Sequence, residues 1–246
     1  MTTETTEADG HALSRHLDWD GCFNVRDLGG LGDVGRGALV RADGLDRLSA
    51  DGWRALVGHG VRTVVDLRNP DEYGADDAAR PDGVRTVRVP VDGIEDREFW
   101  DRWWGGWEFG TPVYYGPFLE RFPERIAAVA RAVAAAAPGG VAFHCSAGRD
   151  RTGVVSIVLL SLAGASPEEI AADYESSVPR VSAMNAARGR EDDGPELAAG
   201  LASAGTTAYD AALEVARGFD AQEYLRGAGL SEEEVAALRR RISGQG

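Results

Sequence analysis

Cys145 and Arg151 bracket a run of small and polar residues in His144-Cys145-Ser146-Ala147-Gly148-Arg149-Asp150-Arg151-Thr152-Gly153. A cysteine attacks as its thiolate, and helix-terminal amides and nearby cations favour that form. Arginine presents a planar fork of donors that grips two oxygens of a phosphoryl group and meets the charge that develops during transfer. The residues Ser146, Ala147, Gly148, Arg149, Asp150 and Arg151 can wrap their backbone N–H groups around an oxyanion at the positive end of a helix. The spacing describes a phosphate cradle with a thiol at its base. Thr152 can donate its hydroxyl to the sulfur, before attack and again when a phosphocysteine breaks down. Asp150 can carry the proton that a leaving oxygen needs, or it can order Arg149 or Arg151 as an ion-pair partner. His144 reads as structural, holding the loop through a side-chain hydrogen bond.

A cysteine beside small residues is ordinarily an inert core side chain. Here the flanking elements argue otherwise. Gly140-Val141-Ala142-Phe143 reads as the end of a buried strand, and Val154 to Leu160 as a buried helix, so the run sits at a strand-to-helix turn. Upstream, Leu39 to Ala42 is a short strand, Leu48 to Leu56 a helix capped by Ser49, and Val61 to Leu67 a strand. Val84 to Val91 alternates and then meets Pro90, which suits an edge strand. Pro123 starts a helix with Ile126, Val129, Ala130 and Val133 on one face, and Pro138-Gly139-Gly140 turns the chain into the cradle strand. Ser166 with Glu169, and Ser231 with Glu234, form capping boxes that start later helices. The stretches Asp210 to Ala216 and Asp220 to Leu225 are helical, whereas 189–205 reads as a loop or a small helix. The alternation of strands and helices is that of an α/β domain.

Asp66 and Arg68 fall at a strand's C-terminal end, where ligands approach an open α/β sheet. Asp66 can orient Arg151 or move a proton, and Asp92 can enter from the next loop as the acid; spacing alone leaves Asp150, Asp66 and Asp92 as alternatives. Four of the six tryptophans lie between positions 100 and 107. Trp103, Trp104 and Trp107 are candidates for a substrate wall, with an aromatic mini-core as the competing reading. Arg26, Asp27, Arg68 and Asp92 are further candidates for closing the pocket, with surface ion pairing as the bland explanation. Gly29-Gly30 is a tight turn, since the pattern of a dinucleotide fold is missing.

The chain resembles the Cys-x5-Arg phosphatases, and in particular the bacterial and fungal group known as tyrosine phosphatase family 3. The cradle carries the resemblance together with Phe23-Asn24-Val25-Arg26-Asp27-Leu28-Gly29-Gly30, Val65-Asp66-Leu67-Arg68 followed by Asp71-Glu72, and Ile170-Ala171-Ala172-Asp173-Tyr174. The resemblance implies a tyrosine-phosphatase-like central sheet flanked by helices, with a helical or loop lid insertion at 95–120. It implies hydrolysis through a cysteinyl-phosphate intermediate, without metal or cofactor, and favours Asp150 as the acid. Protein phosphotyrosine is the implied substrate; a small phosphorylated metabolite and a phosphoinositide are alternatives, and a phosphate-binding module without turnover is the non-enzymatic one. Family members often carry lysine where Arg149 stands. This chain contains no lysine anywhere, so Arg149 is as readily a product of composition as of substrate choice.

The 246 residues suffice for one substantial domain, expected over 16–243 after a disordered leader at 1–15. The leader lacks the apolar core of a signal peptide, and no run approaches the length of a membrane span. The formal charge of −14 works against nucleic acid and anionic membranes as partners. Only Cys22 and Cys145 occur. With one assigned to chemistry, no structural disulfide is expected, which suits a reducing cytoplasm, although a regulatory Cys22–Cys145 bond is conceivable.

Overall fold

The computed structural model describes residues 15–75 and 80–245. Of the leader expected at 1–15, residues 1–14 lie outside the described residues, and Arg15 is buried in the fold. Strands β1 (Arg26–Asp27), β2 (Leu39–Ala42), β3 (Val61–Asp66), β4 (Arg85–Arg88) and β5 (Gly140–His144) form one sheet in the order β1-β2-β5-β3-β4. Only β1 runs antiparallel to its neighbour. The cradle strand β5 is therefore central, paired on both sides and buried at every position, as a parallel strand covered on both faces must be. Strand β4 lies at the edge, and Pro90 follows it where no further donor is needed.

Helix α1 (Ala50–Gly58), capped by Ser49, packs on one face with Trp19, Leu45 and Trp53. The opposite face carries α4 (Pro123–Ala134) and α5 (Asp150–Leu162), along with most of the remaining apolar side chains. From Thr152 to Leu160 every residue of α5 is buried, so tertiary packing overrides the modest helix propensity of its β-branched residues. Segment 95–120, expected as a lid, folds into α2 (Arg97–Trp103) and α3 (Tyr115–Arg121). Phe99, Trp100, Trp103 and Phe118 pack edge-on or tilted against one another and join the core. The segment is thus largely built into the domain.

After the cradle come α6 (Pro167–Glu175) and α7 (Ser177–Ala187), separated by Ser176 alone. The stretch read as a loop or small helix contains α8 (Gly194–Ser203). Helices α9 (Ala208–Ala216), α10 (Ala221–Gly227) and α11 (Glu232–Ile242) complete the domain, and both expected capping boxes are formed. No helix among the described residues is long and apolar enough to cross a membrane.

Candidate active site

The chain leaves β5 at His144, which is fully buried, and Cys145 follows with 3% of its surface exposed. His144 Nδ1 lies 3.0 Å from the carbonyl of Cys145, in keeping with a structural role. The next three carbonyls are all engaged from outside the loop. Gly44 N–H donates to Ser146 O at 3.1 Å, and Asn24 Nδ2 donates to Ala147 O and Gly148 O at 3.1 and 3.0 Å. Arg41 Nη2 adds a donor to Gly148 O at 2.7 Å. Because a trans peptide is planar with C=O and N–H opposed, turning these oxygens outward turns the N–H groups of Ala147, Gly148 and Arg149 toward the hollow. Gly148 has φ +68°, and a Cβ there would sit 2.6 Å from Ala42 O, so glycine is required at this point of the turn.

The braces are themselves anchored. Asp43 accepts the backbone N–H groups of Phe23 and Asn24, and Asn24 Oδ1 accepts from Arg26 Nη1 at 2.6 Å. Asp173 on α6 accepts from Arg26 Nε at 2.8 Å, Arg41 Nη1 at 2.6 Å and Arg15 Nη1 at 3.3 Å. All four ionic side chains are buried. Burial alone would raise the Asp173 carboxyl, but the surrounding guanidiniums outweigh it and hold it well below the usual range.

Arg151 reaches the hollow from the first turn of α5. Its two terminal nitrogens donate to the two oxygens of Glu72, and Nη1 also lies 3.2 Å from Asp92 Oδ2. Burial would lower the Glu72 carboxyl's affinity for charge, yet its hydrogen bonds and ion pair with Arg151 prevail and bring its pKa down to about 2. Glu72 thus stays anionic and fixes the plane of the arginine fork. Ser146 Oγ donates to the same carboxylate at 2.6 Å.

Asp92 is placed by its own loop. Trp100 Nε1 donates to Asp92 O at 2.9 Å, and Gly93 takes φ +56° where a Cβ would meet the Phe122 ring at 2.6 Å. Asn69 Nδ2 donates to Asp92 Oδ2 at 2.7 Å. Its other oxygen, Oδ1, accepts no hydrogen bond among the described residues. Burial pushes the Asp92 carboxyl up, with the charges of Glu72 and Asp150 adding to that and Arg151 and Asn69 opposing it. Asp150 is held at both oxygens, by Tyr115 Oη at 3.1 Å and by Arg149 Nε at 3.2 Å.

These groups surround a cleft of about 800 Å³ lined by Cys145, Ser146, Ala147, Asp150, Arg151, Asp92 and Trp104, among others. The remaining sequence candidates lie elsewhere. Asp66 is buried and paired with Arg68, which also binds Asp46, so neither lines the cleft. Arg26 belongs to the Asp173 cluster, and Asp27 accepts from the N–H groups of Gly29 and Gly37 and faces His59. Trp103 is a core residue, and Trp107 packs against Gly200 of α8. The backbone of Arg149 belongs to the turn, but its side chain turns away to Asp193 at 2.8 Å. Thr152 Oγ1 is buried without a hydrogen-bond partner among the described residues, so the expected donation to the sulfur is not made.

Sequence reasoning assigned no role to Glu72, Asn69, Asn24, Arg41 or Tyr115. Glu72 carried a signal, lying a few residues beyond the C-terminal end of β3 on the ligand-facing edge of the sheet.

The chain belongs to the tyrosine phosphatase family, whose family model matches residues 17–244. That membership puts it among the Cys-based phosphatases. It is 33% identical over 187 residues to a Cupriavidus necator protein assigned as a tyrosine-protein phosphatase, covering 70% of this chain and 66% of that one. A tyrosine-protein phosphatase of Nostoc commune is 31% identical over 229 residues, covering 85% of this chain and 75% of the relative. The triple specificity protein phosphatase PtpB of Mycobacterium tuberculosis is a distant relative at 29% identity over 196 residues, covering 66% and 70%. The chain thus spans 66% to 75% of the length of these relatives.

Proposed function

We propose that the chain hydrolyses phosphate monoesters through a cysteinyl-phosphate intermediate without a metal, with protein phosphotyrosine as its substrate. The observation that carries this reading is the single cleft in which Cys145, the Glu72-held fork of Arg151 and Asp92 converge. Cys145 Sγ attacks phosphorus, the S–P bond forms, and the bond from phosphorus to the leaving oxygen breaks. Arg151 and the inward N–H groups meet the equatorial oxygens. Asp92, whose Oδ1 is unengaged and whose carboxyl is biased toward its protonated form, gives its proton to the leaving oxygen. Water then attacks phosphorus, returns a proton to Asp92 and frees the thiolate and phosphate. Asp150, tied at both oxygens, acts in this reading as an ordering carboxylate.

Because burial raises the Asp92 carboxyl and it acts protonated in this reading, kcat falls as pH rises through its value, which lies above that of a free aspartate. Asp92→Asn should remove that limb. It should also lower kcat on a phosphotyrosine peptide by about 10²–10⁴-fold, the ordinary scale of general acid catalysis, and act far less on an activated aryl phosphate. A leaving-group-dependent loss in Asp150→Asn instead would transfer the role to that residue.

The test of the function is phosphate release with EDTA present across phosphotyrosine peptides, phosphoinositides, nucleotides and phosphorylated sugars. Selective release from the peptides supports the proposal. Selectivity for one small phosphomonoester or a phosphoinositide would replace the substrate, and stoichiometric binding without release would make the chain a phosphate-binding module.

A further inference from the structure

Three large hydrophobic side chains are exposed among the described residues, Ile94 at 49%, Trp104 at 68% and Val178 at 38%. The first two line the cleft that holds Cys145. Isolated exposed hydrophobics need no explanation, but two on one cleft offer apolar contact to whatever enters it. Both are held in place. The Trp104 ring rests 5.0 Å from Phe109 and 6.3 Å from Trp100 between centroids. Ile94 follows Gly93, whose positive φ and contact with Phe122 fix the loop. A pre-positioned indole offers a large contact area with little ordering left to do on binding.

The same cleft is acidic. Asp71, Glu72, Asp92, Asp101 and Asp150 line it against Arg97 and Arg151. Glu72 already occupies one edge of the Arg151 fork. A ligand with several phosphates or acidic flanks places further negative charge against these carboxylates, whereas one phosphoester with uncharged surroundings brings its only charge to Arg151.

We infer that Ile94 and Trp104 are specificity-determining residues that bind an apolar side chain beside the phosphorylated residue of a weakly charged peptide. This rests on the proposed phosphatase reading, which it narrows from phosphotyrosine in general to peptides with apolar flanks.

The experiment uses the full chain and peptides with one phosphotyrosine flanked on both sides by leucine, serine or glutamate. The expected kcat/KM order is leucine over serine by about 10-fold, the scale of partly burying one aliphatic side chain, with glutamate lowest. In the double variant Ile94→Ser, Trp104→Ser the leucine-to-serine ratio falls to near unity, and Trp104→Phe retains most of it. A general structural defect lowers both substrates together and leaves the ratio unchanged. The same peptides titrated calorimetrically onto Cys145→Ser, with and without the rim substitutions, give the ranking as Kd. A parent chain that releases no phosphate would sink the phosphatase reading while the binding order still decides this inference. Equal affinities for the three peptides, a glutamate preference, or a leucine preference that survives the double variant would overturn it.

Discussion

Cys145→Ser should release phosphate from a phosphotyrosine peptide at least about 10⁴-fold more slowly than the parent chain, since replacing a nucleophile within a catalytic unit can cost as much as 10⁶-fold. A serine hydroxyl at neutral pH is scarcely ionised and is a weak nucleophile unless a base activates it. The loss belongs to the chemical step. The carbonyls of Ser146, Ala147 and Gly148 are engaged by Gly44, Asn24 and Arg41, none of which involves the sulfur. The inward N–H groups therefore remain, and the variant should bind inorganic phosphate within a few-fold of the parent. Single-turnover phosphate release paired with phosphate titration separates the two quantities. Retention of more than a hundredth of the parent rate would remove Cys145 from the nucleophile's role.

The largest expected change in stability comes from Asp173→Asn. One carboxylate there pairs with Arg26, Arg41 and Arg15 inside the protein. Removing one member of a buried ionic group costs about 3–5 kcal/mol because the others keep their desolvation without their partner. In a chain of this size that lowers the thermal midpoint by roughly 6–20 °C. Since the Asp173 carboxyl is depressed in the folded chain, its stabilisation is complete above the unfolded-state value near 3.9 and is lost only as pH falls toward the lower folded value. The deficit of the variant should accordingly stay constant between about pH 5 and pH 8. Melting curves followed by circular dichroism across that window test both statements, and a deficit below about 1 kcal/mol would mean that the cluster is not a strong ionic anchor.

The parts of the fold that were legible in the sequence are those written locally. The strand-to-helix turn around Cys145, the Ser49, Ser166 and Ser231 caps, and the edge position marked by Pro90 each depend on residues within a few positions of one another. What pairs across the chain was not legible. Arg26 and Arg41 look like any surface arginine until the fold brings Asp173 between them, and Arg68 at a strand end looks as suited to a ligand as to the Asp66 carboxylate it binds. The tryptophan-rich segment could be read as core or as substrate wall; Trp100 and Trp103 are buried, and Trp104 is exposed on the cleft. Trp104 is the residue that ends α2, and its extended backbone takes it off the helical path, whereas Trp100 and Trp103 lie within the helix and are buried. Helix α7 went unread because it follows α6 after a single residue and carries Pro179 in its first turn.

The outward-turned carbonyls of the cradle bear on modularity. The ten residues from His144 to Gly153 look like a portable cassette, yet the orientation of their peptide planes is set by Asn24 and Arg41, more than 100 positions away along the chain. Grafted alone onto another strand-to-helix turn, the cassette would leave Ala147 and Gly148 free to rotate, and carbonyl oxygens could face the phosphate in place of N–H groups. The transplantable unit is the turn together with β1, β2 and α6. Within it, the N-terminal signature and the Asp-Tyr helix serve as braces of the turn although neither lines the cleft.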